Sequence, residues 1–107
     1  MKVVLKKSEA AEPFTFAFVE DGKTVVRSEN YKAKSSALNG IESVRKNSQV
    51  DTRYELKASK SGKFFFNVKA TNGQIVATST MFATEADRDA AIASLKAHAP
   101  SAELEEA

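Results

Sequence analysis

Between Phe14 and Val19 the chain alternates strictly. Phe14, Phe16 and Phe18 fall on one side of an extended backbone, and Thr15, Ala17 and Val19 on the other. Lys2–Lys7 reads the same way, with Val3 and Leu5 sharing a side. "EDG" after Val19 is a hairpin signal, because Gly22 can adopt the positive φ that a tight turn needs. A third strand follows over Thr24–Ser28. The period then changes. Ala37, Gly40, Ile41 and Val44 recur at i, i+3, i+4 and i+7, which predicts a helix over about Ser35–Lys46 with those residues on its buried face.

The plan is then repeated. "VVLK" from Val3 aligns with "YELK" from Tyr54, "FTFAF" from Phe14 with "FFFNV" from Phe64, and Gly22 with Gly73. From Gly22 onward the offset holds at 51, so Ser28 falls on Ser79, Tyr31 on Phe82 and Ile41 on Ile92. Self-similarity at such a spacing is the mark of a duplicated unit. The second unit predicts strands over Tyr54–Lys57, Lys63–Lys69 and Gln74–Thr78, with "TNG" as its hairpin turn. Thr84 is a candidate N-cap with Asp87 three residues on. Arg88, Ala91, Ile92 and Leu95 share a helical face, and that helix is expected to stop before Pro100. The expected fold is therefore α+β: a tandem duplication of a β-β-β-α unit, joined as a six-stranded antiparallel sheet with both helices on one face. Residues 1–107 form one domain, with repeats at 1–48 and 54–99, and 100–107 as a frayed acidic tail.

The segment Phe66–Ser79, "FNVKATNGQIVATS", resembles the repeated signature of the YegP-like family of small bacterial proteins of unknown function. The aromatic three residues past each Ser (Tyr31, Phe82) and "GIESVRKN" over Gly40–Asn47 carry the same resemblance. It extends over nearly the whole chain and implies a tandem β-β-β-α fold joined in one antiparallel sheet. Some members of the family carry a single unit and pair as dimers. It offers no established catalytic or binding residues to transfer. The second helix departs from the signature, with "AAIASLKAH" in place of "NGIESVRKN", so Gly40 and Asn47 do not serve a site needed twice.

Composition removes several kinds of chemistry. The chain has no Cys, which excludes disulfides, thiolate metal sites and a Cys nucleophile. No apolar run approaches the roughly 18 residues of a membrane helix, and a cytoplasmic address is expected. The net charge of +2 is too small to argue for a polyanion partner by itself. It is unevenly spread: residues 1–70 hold 14 Lys/Arg against 8 Asp/Glu, and residues 71–107 hold 2 against 6.

Candidate chemistry is sparse. His98 is the single histidine, at the end of the second helix, where it suits the last carbonyls; no second ligand lies at metal-binding spacing. Ser28 and Ser79 match between repeats, but neither has a base at a matching place. A hydroxyl that ends a strand and bonds the turning backbone explains both. Gly22 and Gly73 are turn glycines without a phosphate-cradling pattern around them. No cofactor or metal is expected, and an enzyme built on Ser28, Ser79 or His98 is the lesser alternative.

The sheet surface away from the helices carries the stronger expectation. Alternation sends Lys2, Val4, Lys6, Thr15, Ala17, Lys57, Phe65, Asn67 and Lys69 to that side. Lysines around an aromatic are the combination with which open sheets stack bases and meet phosphates. Lys2, Lys6, Lys57, Phe65 and Lys69 are thus the candidate nucleic-acid residues of a small non-enzymatic binding or accessory protein. A protein partner on the same face is the alternative, and the chain is expected to be a monomer.

Overall fold

A computed structural model describes residues 1–107. Six strands and two helices follow the expected order: β1 Lys2–Lys7, β2 Phe14–Glu20, β3 Lys23–Arg27, α1 Lys34–Asn47, β4 Tyr54–Ala58, β5 Phe64–Lys69, β6 Ile75–Ser79 and α2 Glu85–His98. Short 3₁₀ turns follow each helix, at Asp51–Arg53 and Ala99–Ser101. A seventh strand, β7, spans Glu103–Glu106. The strands form one sheet in the order β4-β5-β6-β3-β2-β1-β7.

Two expectations are corrected here. The sheet is mixed and seven-stranded, because β7 pairs parallel to β1, with Val3 opposite Leu104. And 100–107 is not a frayed tail. Its acidic residues find cations around the β1 edge: Glu105 lies 3.3 Å from Lys2, and Glu106 pairs with Lys34 at the start of α1. The Ala107 amide donates to the Leu5 carbonyl at 2.9 Å. Backbone bonding to an open edge and opposite charge together order a segment that its composition alone marks as solvated.

The remaining pairs are antiparallel. Between β2 and β3 the turn residues Asp21 and Gly22 have φ of 51° and 77°, the left-handed pair that a two-residue hairpin of type I′ requires. The β2–β3 and β5–β6 pairings each contain one irregularity, between Phe18 and Val19 and between Val68 and Lys69. It turns two successive residues, Val25 and Val26 or Val76 and Ala77, against the core. The halves meet where β3 pairs with β6 through Val26–Ser79 and Arg27–Thr78. Arg27 and Thr78 are also 51 apart in sequence, so the local two-fold relation between the halves passes through this pair.

Both helices cover the same face. Val3, Phe16, Phe18, Val26, Ile41, Val44, Phe66, Val68 and Leu95 are buried between sheet and helices. The same packing occurs in each half. Phe14 and Tyr31 exchange two backbone hydrogen bonds, as do Phe64 and Phe82. The Tyr31 ring stacks on Phe16 at 6.2 Å and 9°, and Phe82 on Phe66 at 6.3 Å and 2°. One difference follows from one atom. A Cβ on Gly40 would lie 2.7 Å from the Tyr31 hydroxyl and 2.9 Å from the Phe16 ring edge. The corresponding helix position in the second half is Ala91, and there the stacked ring is Phe82, which has no hydroxyl.

Gly40→Ala should therefore destabilise by about 1–3 kcal/mol through overpacking, despite the better helix propensity of Ala. In a Tyr31→Phe background the loss should shrink, as a thermodynamic cycle from urea unfolding would register. Equal losses in both backgrounds would make the Phe16 edge, rather than the hydroxyl, the obstacle. Within "FFF", Phe66→Ala should cost about 3–5 kcal/mol, and Phe65→Ala clearly less, because Phe65 is half-buried on the opposite face.

Candidate functional site: the uncovered sheet face

No element packs over the second face of the sheet, and cross-strand register fixes which side chains it presents. Lys57 lies opposite Phe65, Glu55 opposite Asn67, and Asn67 opposite Thr78. Thr78 pairs with Arg27, Arg27 with Ala17, and Ala17 with Val4. Lys6 lies opposite Thr15, and Lys2 opposite Val19. All five expected residues, Lys2, Lys6, Lys57, Phe65 and Lys69, are thus on one surface.

Their charges are not equally free. Glu55 sits between two of the lysines, 2.7 Å from Lys69 and 4.0 Å from Lys57. The Asn67 amide donates to Glu55 at 3.0 Å, and the Thr78 hydroxyl donates to the Asn67 carbonyl oxygen at 2.9 Å. Lys2 is held by Glu105. Lys6 and Arg27 are exposed and have no carboxylate within ion-pair distance. A shallow hollow of about 320 Å³ lies among Val4, Lys6, Thr15, Ala17, Thr24 and Arg27, floored by small side chains near the two-fold pair.

Sequence reasoning missed Arg27, Glu55, Glu103 and Glu105. Glu55 was within reach, since it alternates in phase with Lys57. Arg27 was hidden by the irregularity at Val25 and Val26, which breaks simple alternation along β3. The two β7 carboxylates had no local signal, because their place depends on a parallel pairing with a strand a hundred residues earlier.

The other candidates do not converge on a reaction. Ser28 and Ser79 are buried. The Phe16 amide donates to Ser28 Oγ at 2.9 Å, and the Ser28 hydroxyl donates to the Glu29 carbonyl at 2.7 Å. The Phe66 amide and the Thr80 carbonyl hold Ser79 in the same way, both at 2.9 Å. Each hydroxyl satisfies a buried core N–H at a strand end, which is work for the fold. His98 is exposed at the C-terminus of α2. No three His, Asp or Glu side chains gather as a metal site would require. A larger open hollow of about 780 Å³ lies near the end of α1. There Arg45 donates to the Ala99 and Pro100 carbonyls, and Asn47 donates to Ser43, so these groups tie helix ends together. No helix is long and apolar enough to cross a membrane.

Comparison with known proteins gives the lineage. A family described as a domain of unknown function, DUF1508, matches residues 10–55 and again 59–106. The chain belongs to this family. Among its relatives, a UPF0339 protein of the ptx operon 5′ region of Stutzerimonas stutzeri is 49% identical over 100 residues, covering 92% of this chain and 90% of that one. The UPF0339 protein YegP of Escherichia coli K12 is 49% identical over 81 residues, covering 76% and 74%. The solution NMR structure of a UPF0339 protein from Shewanella oneidensis superposes with a TM-score of 0.91 at 37% identity, covering 98% of this chain and 89% of that one. That of E. coli yegP gives 0.89 at 42%, covering 98% and 90%, and is itself described as a protein of unknown function. Each DUF1508 match starts ahead of a long hairpin, β2-β3 or β5-β6, and runs through the helix to the strand beyond it.

The Glu55 network makes a titration prediction. The bond from Lys69, then that from Asn67, hold this carboxyl below the usual 4.5, with the Lys57 and Lys69 charges adding to the effect and desolvation opposing it. A depressed folded value means the stabilising contribution is present above the unfolded value and is lost as pH falls through the folded one. The Glu55 carboxyl carbon should therefore titrate below 4.5 by NMR. Lys69→Ala should bring it back toward the usual value, and Asn67→Ala should do so by a smaller step.

Proposed function

We propose that the protein is a non-enzymatic binding protein that works through its uncovered sheet face, and that its ligand there is single-stranded nucleic acid, held weakly and without sequence preference. The observation that carries this is the pair of unpaired cations, Lys6 and Arg27, beside the hollow on the face that also presents Phe65. Arg offers a planar fork to phosphate, and the half-exposed Phe65 ring offers a stacking surface to any base. Lys57 and Lys69 contribute less than their sequence positions suggest, because Glu55 already neutralises part of their charge. The doubly bonded Ser28 and Ser79 favour a role without catalysis. The recurrence of the Ser–Phe bond and of the aromatic stack supports the chain being two copies of one β-β-β-α unit.

A second reading rests on the same carboxylates. Glu55, Glu103 and Glu105 give the face both signs of charge, which suits a protein partner better than a polyanion.

Amide shifts on titrating short oligonucleotides at low salt separate the two. The nucleic-acid reading expects shifts clustered on β1, β2, β3 and β5. It also expects a log–log salt slope that falls by about 0.7 for each phosphate left without its cation in Lys6→Ala and Arg27→Ala. Phe65→Ala should weaken binding by about 1–3 kcal/mol and leave the slope unchanged, since stacking releases no counterions. Lys46→Ala, on the helix side, should change neither. Absence of any shift at millimolar oligonucleotide removes nucleic acid and leaves the protein partner.

A further inference from the structure

The two edges of the sheet are finished differently. β7 covers the edge of β1, whereas β4 pairs on one side only. The Ser59 amide donates to the Lys63 carbonyl at 2.7 Å, so Ser59 turns its backbone groups toward β5. Alternation then turns Lys57 and Glu55 inward as well, and Tyr54, Leu56 and Ala58 outward. Phe64 confirms the phase. It donates to Phe82, away from β4, which leaves Phe65 and Asn67 facing their partners Lys57 and Glu55. The Tyr54 amide already donates to the Asp51 carbonyl, so the N–H groups of Leu56 and Ala58 and the three C=O groups of Tyr54, Leu56 and Ala58 point out of the β4 edge without a partner. Tyr54 packs on Phe66 at 5.6 Å, so Leu56, in phase with it, also lies on the helix side, yet it is 53% exposed.

We propose that this edge is a self-association surface: β4 pairs antiparallel with β4 of a second copy, with Leu56 on the two-fold axis. Leu56 exchanges both backbone bonds with the partner's Leu56, and the Tyr54 carbonyl accepts from the partner's Ala58 amide. On the open face, Glu55 then lies opposite the partner's Lys57, twice over. Charge selects this register. Moving the pairing to the neighbouring register with outward groups matched sets Glu55 against Glu55 in one direction and Lys57 against Lys57 in the other, and like charges directly opposite are unfavourable. The strand "YELKA" is thus complementary to itself. Lys57 is available for the pairing, since its side chain is 49% exposed and reaches Glu55 of its own chain only at 4.0 Å.

The two-fold axis stands perpendicular to the sheet and keeps all helices on one side, as the relation at Arg27 and Thr78 does within the chain. The opposite edge follows the same charge logic, with acidic β7 seated on basic β1. A five-residue strand pairing buries far less than the roughly 1,200 Å² of a stable interface, so the association is weak and concentration-dependent. It takes the place of the monomer expected from the sequence, and it leaves Lys6, Arg27 and the hollow between them open in both copies, engaging only Glu55 and Lys57 of the residues on that face.

Sedimentation equilibrium and amide shifts from micromolar to millimolar protein test it. The expected result is a monomer–dimer equilibrium with shifts confined to Tyr54–Ala58 and its neighbours on β5. Lys57→Glu and Glu55→Lys should each raise the dissociation constant about tenfold or more, because both cross-strand pairs become repulsive. An equimolar mixture of the two should associate again, since every Glu then meets a Lys. If Glu55→Lys disturbs the Asn67 and Lys69 interactions enough to unfold the chain, Leu56→Lys serves instead: its side chain is exposed, and it should abolish the dimer while leaving the circular dichroism unchanged. A monomer at millimolar concentration overturns the proposal. So does association that survives both Lys57→Glu and Leu56→Lys, and a mixture that stays monomeric overturns the register.

Discussion

The junction of β3 with β6 is the pairing on which the rest of this protein depends. Val26–Ser79 and Arg27–Thr78 make it, extended by the Thr80 amide donating to the Val25 carbonyl at 3.3 Å, and this short pairing joins the strands on either side into one sheet. At about fifty residues each unit is near the lower limit for a domain that folds alone. Joined edge to edge, they share one buried face under two helices, and Phe16, Phe18, Phe66 and Val68 are buried together. The same junction forces the other consequence. With both helices on one side and no third layer, a whole sheet face has nothing over it.

The chain does not leave that face as a simple basic surface. Glu55 is placed where it can accept from Asn67 and Lys69 together, and Asn67 in turn accepts from Thr78. The row from β4 to β6 is thus tied side chain to side chain, and its cations are compensated. At the other end, Glu105 compensates Lys2. What remains uncompensated is Arg27, near the pseudo-symmetric centre, and Lys6 on β1, which line the same hollow.

Much of this was legible. The strand and helix pattern needs only local periodicity. The phenylalanines of β2 alternate because one face is buried, and Ala37, Gly40, Ile41 and Val44 line a helix face for the same reason. Thr84 caps α2 as its spacing to Asp87 suggests, accepting from the Asp87 amide at 3.1 Å. Ser28 and Ser79 bond the backbone at strand ends, as the pattern of a hydroxyl at a turning strand suggests. The site was legible as a surface and less so as a set of charges. Alternation places Lys57 and Glu55 on one side equally well, whereas the Val25–Val26 irregularity shifts Arg27 out of any simple phase.

Local periodicity alone yields the six strands β1–β6, the two helices and their order, because these depend on neighbours within a few positions. Tertiary structure alone decided what happens at the edges and between charges. β7 exists because β1 presents unpaired backbone groups flanked by Lys2 and Lys34, and an isolated "ELEE" has no reason to be a strand. Leu56 is exposed because its edge has no such strand beside it. Whether a lysine is free depends on which carboxylate lies one strand away, and that distance is set by pairing register, which no stretch of the chain encodes on its own.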